Sequence, residues 1–148
     1  MIALIQRVSH ASVVIDKQKV GEIDRGILAL IGVQKSDSTA QVERLLERIL
    51  SYRIFPDEEG RMNRSLSDIK GGLLLVPQFT LAADTKKGTR PGFSPAAAPE
   101  LGEKLFLELI EQAKRQHHDL HSGIFGADMK ISLCNDGPVT FWLEAKVA

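Results

Sequence analysis

Apolar and polar positions change their period several times along the chain. Ile2-Ala3-Leu4-Ile5-Gln6-Arg7-Val8 and Ala11-Ser12-Val13-Val14-Ile15 are rich in β-branched residues and bounded by polar ones, which predicts two strands. Lys17-Gln18-Lys19 reads as the turn after them, followed by a further strand from Val20 to Ile23. The run Ile27-Leu28-Ala29-Leu30-Ile31-Gly32-Val33 is almost wholly apolar, the pattern of a central strand covered on both faces. From Ser38 the spacing becomes helical. Val42, Leu45, Leu46, Ile49 and Leu50 share one face, while Glu43, Arg44, Glu47 and Arg48 share the other. Ser38 or Thr39 can cap this helix, which should end between Tyr52 and Phe55, ahead of Pro56. Asp57-Glu58-Glu59-Gly60 reads as a solvated polar turn.

Gly71-Gly72 breaks the chain before a second buried strand, Leu73-Leu74-Leu75-Val76, which runs out in Pro77-Gln78-Phe79-Thr80-Leu81. A polar loop from Asp84 to Ser94 leads, past Pro95 and Pro99, to a second helix. Its inner stripe is Leu101, Leu105, Leu109 and Ala113, widened by Phe106 and Ile110, and it ends in Arg115-Gln116-His117-His118. The chain then returns to β: Lys130 to Cys134, a turn at Asn135-Asp136-Gly137, and Val139-Thr140-Phe141-Trp142-Leu143. These elements predict an α+β fold in one domain spanning 1–148, with a barrel-like, mainly β framework and two principal helices packed on it.

A length of 148 residues fits one core, and 43% hydrophobic residues are enough to fill it. No apolar run approaches the length of a bilayer span, and Met1 to Arg7 lacks the features of a signal peptide, so a cytoplasmic protein is expected. Cys134 is the only cysteine, which excludes an internal disulfide and a four-cysteine metal site. Its place in Ile131-Ser132-Leu133-Cys134 favours a small buried residue over a nucleophile. Nineteen basic residues balance nineteen acidic ones, so any contact with RNA must come from a local patch. Lys86, Lys87 and Arg90 supply such a patch for phosphates, or they form a merely solvated loop.

Standard catalytic equipment is missing from the sequence. There is no Gly-x-Ser-x-Gly elbow, phosphate loop, dinucleotide fingerprint or His-Glu-x-x-His. His117, His118 and His121 cluster after the second helix, where polar residues commonly satisfy terminal carbonyls, and no cysteine or carboxylate cluster joins them at ligand spacing. Neither metal nor cofactor is expected.

Two segments carry a resemblance. Pro77-Gln78-Phe79-Thr80-Leu81-Ala82-Ala83 and Asn135-Asp136-Gly137-Pro138-Val139-Thr140-Phe141 resemble, in this order and spacing, the two signature motifs of the D-aminoacyl-tRNA deacylases. Met1 to Val8, Tyr52-Arg53-Ile54-Phe55, Gly88-Thr89-Arg90-Pro91 and Ala127-Asp128-Met129 extend the likeness over essentially the whole chain. Pro77 departs from it, standing where the family usually has serine, and removes both a hydroxyl and a backbone N–H. Gly92 is a second departure from an expected serine.

The resemblance implies hydrolysis of the ester between a D-amino acid and the terminal ribose of tRNA, with glycyl-tRNA as an additional substrate, by a homodimer. It also implies that Gly137 and Pro138, joined by a cis peptide, enter the partner's site and accept hydrogen bonds from the substrate's α-ammonium. Among the remaining candidates, Phe79 and Thr80 lie at a strand end where their amides can face an oxyanion. Thr80 as nucleophile lacks an evident base, which favours help from the 2′-hydroxyl of the terminal adenosine. The Phe79 ring fits core packing equally well. Gln78 can orient backbone or ribose, and Pro77, a substrate-binding candidate by its place in the motif, should stiffen the strand end. Met129 and Phe125 fit either an adenine pocket or the core, and Arg7 either braces the Gly-Pro loop or lies on the surface. Two rival readings remain: a non-catalytic dimeric module binding RNA 3′ ends or small amines, and a general ester hydrolase with a hidden triad.

Overall fold

The computed structural model describes residues 1–148. In chain order the elements are β1 (Ile2–Ile15), β2 (Gln18–Ile23), β3 (Gly26–Gly32), α1 (Thr39–Ser51), β4 (Phe55–Pro56), β5 (Met62–Arg64), α2 (Leu66–Ile69), β6 (Gly72–Pro77), α3 (Pro99–Gln116), β7 (Leu120–Ser122) and β8 (Lys130–Glu144). A 3-10 turn, Phe79–Ala82, follows β6. No helix is long and apolar enough to cross a membrane.

β1 organises the sheet. Along one edge it pairs antiparallel with β8 from Ile2↔Glu144 to Val14↔Lys130. Along the other edge its first part pairs with β3 and its last part with β2. The two strands expected before Ile15 are therefore one, because pairing to β8 resumes directly beyond Ser9, at His10↔Cys134. β3 continues parallel to β6, and β6 parallel to β7. The sheet curls until it nearly closes. A Cβ on Gly21 of β2 would stand 3.4 Å from the Ser122 carbonyl oxygen and 3.5 Å from the His121 Cβ on β7.

Both faces of this curled sheet are filled. Ala3, Ile5, Ile27, Ala29 and Ile31 face outward under the helices, which contribute Val42, Leu45, Leu46 and Ile49 from α1 and Leu105, Phe106 and Leu109 from α3. Val8, Val13, Ile23, Leu28, Leu74 and Val76 fill the inside of the curl. β3 alternates between the two clusters, which explains its unbroken apolar run. The N-terminal turn of α1 is secured by Gln41, whose Oε1 accepts the Ser38 N–H at 2.8 Å. His117 closes α3 onto the start of β6, its Nε2 donating to the Gly71 carbonyl at 2.6 Å. The ring thus serves a carbonyl 46 positions away, not one of the last carbonyls of α3 as the sequence led us to expect.

Three local expectations change. The β1–β2 turn is Asp16-Lys17, with φ of 49° and 65°, so Gln18 and Lys19 belong to β2. Positive φ at both positions is the type I′ geometry, whose twist matches that of the flanking strands. Asn135-Asp136-Gly137 does not turn the chain back, because the runs on both sides pair with β1 rather than with each other. It is an irregularity within β8, where the register to β1 shifts between Gln6 and Val8 and again between Val8 and His10. Cys134 is exposed, not buried. Side chains alternate along β8, and Cys134 falls with Ser132 and Asp136 on the open side. The short elements β4, β5, α2 and β7 had no distinct sequence signal.

Candidate active site

β6 is buried until Pro77, where the lost N–H ends a strand cleanly. Gln78 N–H still bonds the Ile31 carbonyl at 2.7 Å, and the chain then tightens into the 3-10 turn. Phe79 and Thr80 are the first residues of that turn, so their amides have no carbonyl within it to bond. The Gln78 side chain bridges the turn, its Nε2 donating to Thr80 Oγ1 at 2.6 Å.

A cavity of about 490 Å³ opens beside these residues. Pro77, Gln78 and Phe79 form one wall, and Phe125 and Met129 another. Two glycines shape it. Phe125 packs on Gly102 of α3, where a Cβ would stand 3.2 Å from its ring, and the Met129 sulfur occupies the space a Cβ on Gly123 would need. Gln78 is the only residue of the lining with a polar side chain, and none is charged. The carboxylates whose pKa is displaced, Glu22, Asp57 and Asp68, lie elsewhere. No group of three His, Cys, Asp or Glu side chains is placed to hold a metal ion.

The Phe79 ring is 58% exposed, which rules out the core-packing reading. It meets the ring of Phe93, 43% exposed, at a centroid distance of 5.3 Å and an interplanar angle of 46°. Sequence reasoning passed over Phe93, although an aromatic residue in a polar loop was a usable signal. The loop before it carries Lys86, Lys87 and Arg90, all exposed. Asp84 and Gly92 clamp that loop by paired backbone hydrogen bonds of 2.7 and 2.9 Å. Gly92 therefore serves as a backbone partner in the clamp.

The remaining candidates lie elsewhere on the sheet. Gly137-Pro138 is a cis peptide. Asn135 organises the segment, its Oδ1 accepting the Val139 N–H at 2.7 Å while its Nδ2 donates to Thr140 Oγ1 at 2.8 Å. Arg7 donates from Nε to the Asp136 carbonyl at 3.0 Å and from Nη1 to the Ile54 carbonyl at 2.7 Å, so it braces the Gly-Pro segment as the first of its two readings had it. This segment lies opposite Arg7 on β8, and neither Gly137 nor Pro138 lines the cavity.

The model for the family described as D-Tyr-tRNA(Tyr) deacylase matches residues 4–144. Proteins named D-aminoacyl-tRNA deacylase from Alkalilimnicola ehrlichii and Thioalkalivibrio sulfidiphilus are 62% and 65% identical to the chain. The first alignment covers 99% of this chain and 97% of that protein, the second 97% of each. A solved structure titled c-Myc DNA Unwinding Element Binding Protein superposes with a TM-score of 0.95 at 35% identity, covering 99% of this chain and 100% of that one.

Proposed function

Because the chain belongs to the D-Tyr-tRNA(Tyr) deacylase family, we propose that it hydrolyses D-aminoacyl-tRNA, releasing the free D-amino acid and tRNA. The observation that carries the mechanism is the cavity without acid or base, lined by Phe79, the first residue of a turn in which the amides of Phe79 and Thr80 have no carbonyl to bond. The adenine of the terminal nucleotide occupies the cavity against Phe125 and Met129. The ester carbonyl then lies by the two amides. Water adds to the carbonyl carbon, and the amides stabilise the oxyanion that forms. The tetrahedral species collapses by expelling the ribose oxygen, which takes up a proton.

The water needs a proton acceptor, and no side chain of the lining supplies one. The adjacent 2′-hydroxyl of the ribose relays the proton, taking one from the water as it passes its own to the departing 3′-oxygen, and the protein acts by positioning. Thr80 is not the nucleophile. Its Oγ1 serves as acceptor for Gln78, and no base lies in the lining.

Chirality is read by Gly137 and Pro138 of a second copy, whose carbonyls accept hydrogen bonds from the α-ammonium. With the amine and the ester both fixed, backbone blocks one of the two remaining directions at the α-carbon. An L side chain clashes there, while a D side chain points outward and glycine passes. That neither residue lines the cavity of its own chain supports this cross-subunit arrangement. The enzyme works as a single-domain homodimer in the cytoplasm, without cofactor, with Lys86, Lys87 and Arg90 meeting tRNA phosphates.

The deciding experiment compares D-Tyr-tRNA with L-Tyr-tRNA. Cleavage of the D ester at least a hundredfold faster is expected, and equal rates would refute the reading. Replacing the terminal ribose by its 2′-deoxy form should abolish turnover, while Thr80→Ala should keep it within about tenfold. Loss of several orders of magnitude in a folded Thr80→Ala protein would restore a nucleophilic threonine. An apolar cavity beside basic residues also fits a module that only binds RNA 3′ ends, which would leave both esters intact.

A further inference from the structure

Phe79 and Phe93 form an exposed aromatic pair at the cavity mouth, 58% and 43% accessible. Large apolar side chains left in water at a binding site mark a surface that a ligand covers. Phe79 belongs to the cavity wall, but Phe93 does not. The base held in the cavity therefore leaves Phe93 free.

The chain around Phe93 is held firmly. The Asp84–Gly92 clamp fixes it on one side. On the other, the Phe93 carbonyl accepts the Ala96 N–H at 3.1 Å, the Pro95 carbonyl accepts the Lys35 N–H at 3.1 Å, and Ala96 bridges to Gln34. The clamp also places Lys86, Lys87 and Arg90 in the same excursion of the chain. An aromatic face on the loop that also carries a group of exposed cations supplies the two elements that hold single-stranded nucleic acid: bases stack and phosphates are neutralised.

We propose that Phe93, with Phe79, forms a second base subsite that stacks the nucleotide preceding the terminal adenosine, a cytidine in tRNA. The reading rests on the deacylase function above and extends it: the enzyme grips two nucleotides of the 3′ end, not one. Stacking is tolerant of base identity, so the subsite adds affinity and register rather than sequence selectivity.

The test uses two small esters, D-tyrosyl-adenosine and the D-tyrosyl ester of cytidylyl-(3′→5′)-adenosine, with the full-length protein. The wild type should prefer the dinucleotide ester in kcat/KM by about five- to a hundredfold, the range for one stacked base. Phe93→Ala should bring the ratio of the two close to one, and Phe93→Trp should preserve it. A wild-type ratio near one overturns the subsite, as does a ratio unchanged in Phe93→Ala. Sedimentation of Phe93→Ala supplies an independent check. A change of oligomeric state would mean that a second copy of the chain covers this pair, and would also overturn it. Failure to cleave D-Tyr-tRNA itself would instead strike the deacylase reading, and would take this inference with it.

Discussion

The Arg7 guanidinium holds the backbone of Asp136, donating from Nε to its carbonyl at 3.0 Å across 129 positions of sequence. The same side chain reaches the Ile54 carbonyl, so one residue of β1 fixes the Gly137-Pro138 segment against the chain that follows α1. A charged donor to backbone is worth about 1.5–3 kcal/mol. Arg7→Ala should therefore lower kcat/KM on D-Tyr-tRNA by about tenfold or more, with Arg7→Lys only partly restoring it because lysine cannot fork to two carbonyls. Activity fully retained in a folded Arg7→Ala protein would separate this brace from function.

The basic loop makes a salt-dependent prediction. Each phosphate contact to a single strand contributes about 0.7 to the slope of log K against log salt. Reversing Lys86, Lys87 and Arg90 to glutamate should reduce that slope by about two for tRNA binding, measured by filter retention between low and physiological salt. An unchanged slope would make the loop a solvated surface only.

Gly26 and Gly72 let β3 and β6 meet at the start of their parallel pairing. A Cβ on Gly26 would fall on the Gly72 carbonyl, a backbone atom that cannot move aside without parting the strands. Gly26→Ala should destabilise the fold by about 3 kcal/mol or more, the upper range for overpacking, read from denaturant unfolding. A loss below about 1 kcal/mol would show that the two strands separate easily.

Asp68 carries an acid-sensitive contribution. Its carboxylate is held below the ordinary carboxylate value, first by the Ser65 backbone N–H and then by the Ser65 side chain. A depressed folded pKa means that stability is complete above the unfolded value of about 3.9 and is lost as pH falls through the folded one. The unfolding midpoint should thus decline below about pH 4, and Asp68→Asn should flatten part of that decline. An identical acid limb in the variant would remove Asp68 from the account.

Much of this architecture was legible because periodicity reports burial. The buried strands β3 and β6, and the helices α1 and α3, stand close to where alternation and helical spacing put them. What failed has a common cause. Cys134 sits in an apolar-looking run, yet it lies on the open side of a strand that has only one neighbour, a fact about sheet order rather than composition. Asn135-Asp136-Gly137 has turn chemistry, but whether such a segment reverses the chain depends on which strand its flanks pair with. At the site, the motif residues Pro77, Gln78 and Phe79 were legible and converge with Phe125 and Met129 on one cavity. The contact between Phe93 and Phe79 was not, because it is made by a loop whose path is set by the Asp84–Gly92 clamp.

The absence of Gly137 and Pro138 from the cavity lining of their own chain has a genetic corollary. Under the cross-subunit arrangement, each working centre takes its floor from one polypeptide and its chirality filter from the other. Two alleles, one damaged at Gly137 and the other at Phe79, would each be null when expressed alone. Co-expressed, they would assemble mixed pairs in which one centre inherits both sound halves, and partial activity would return.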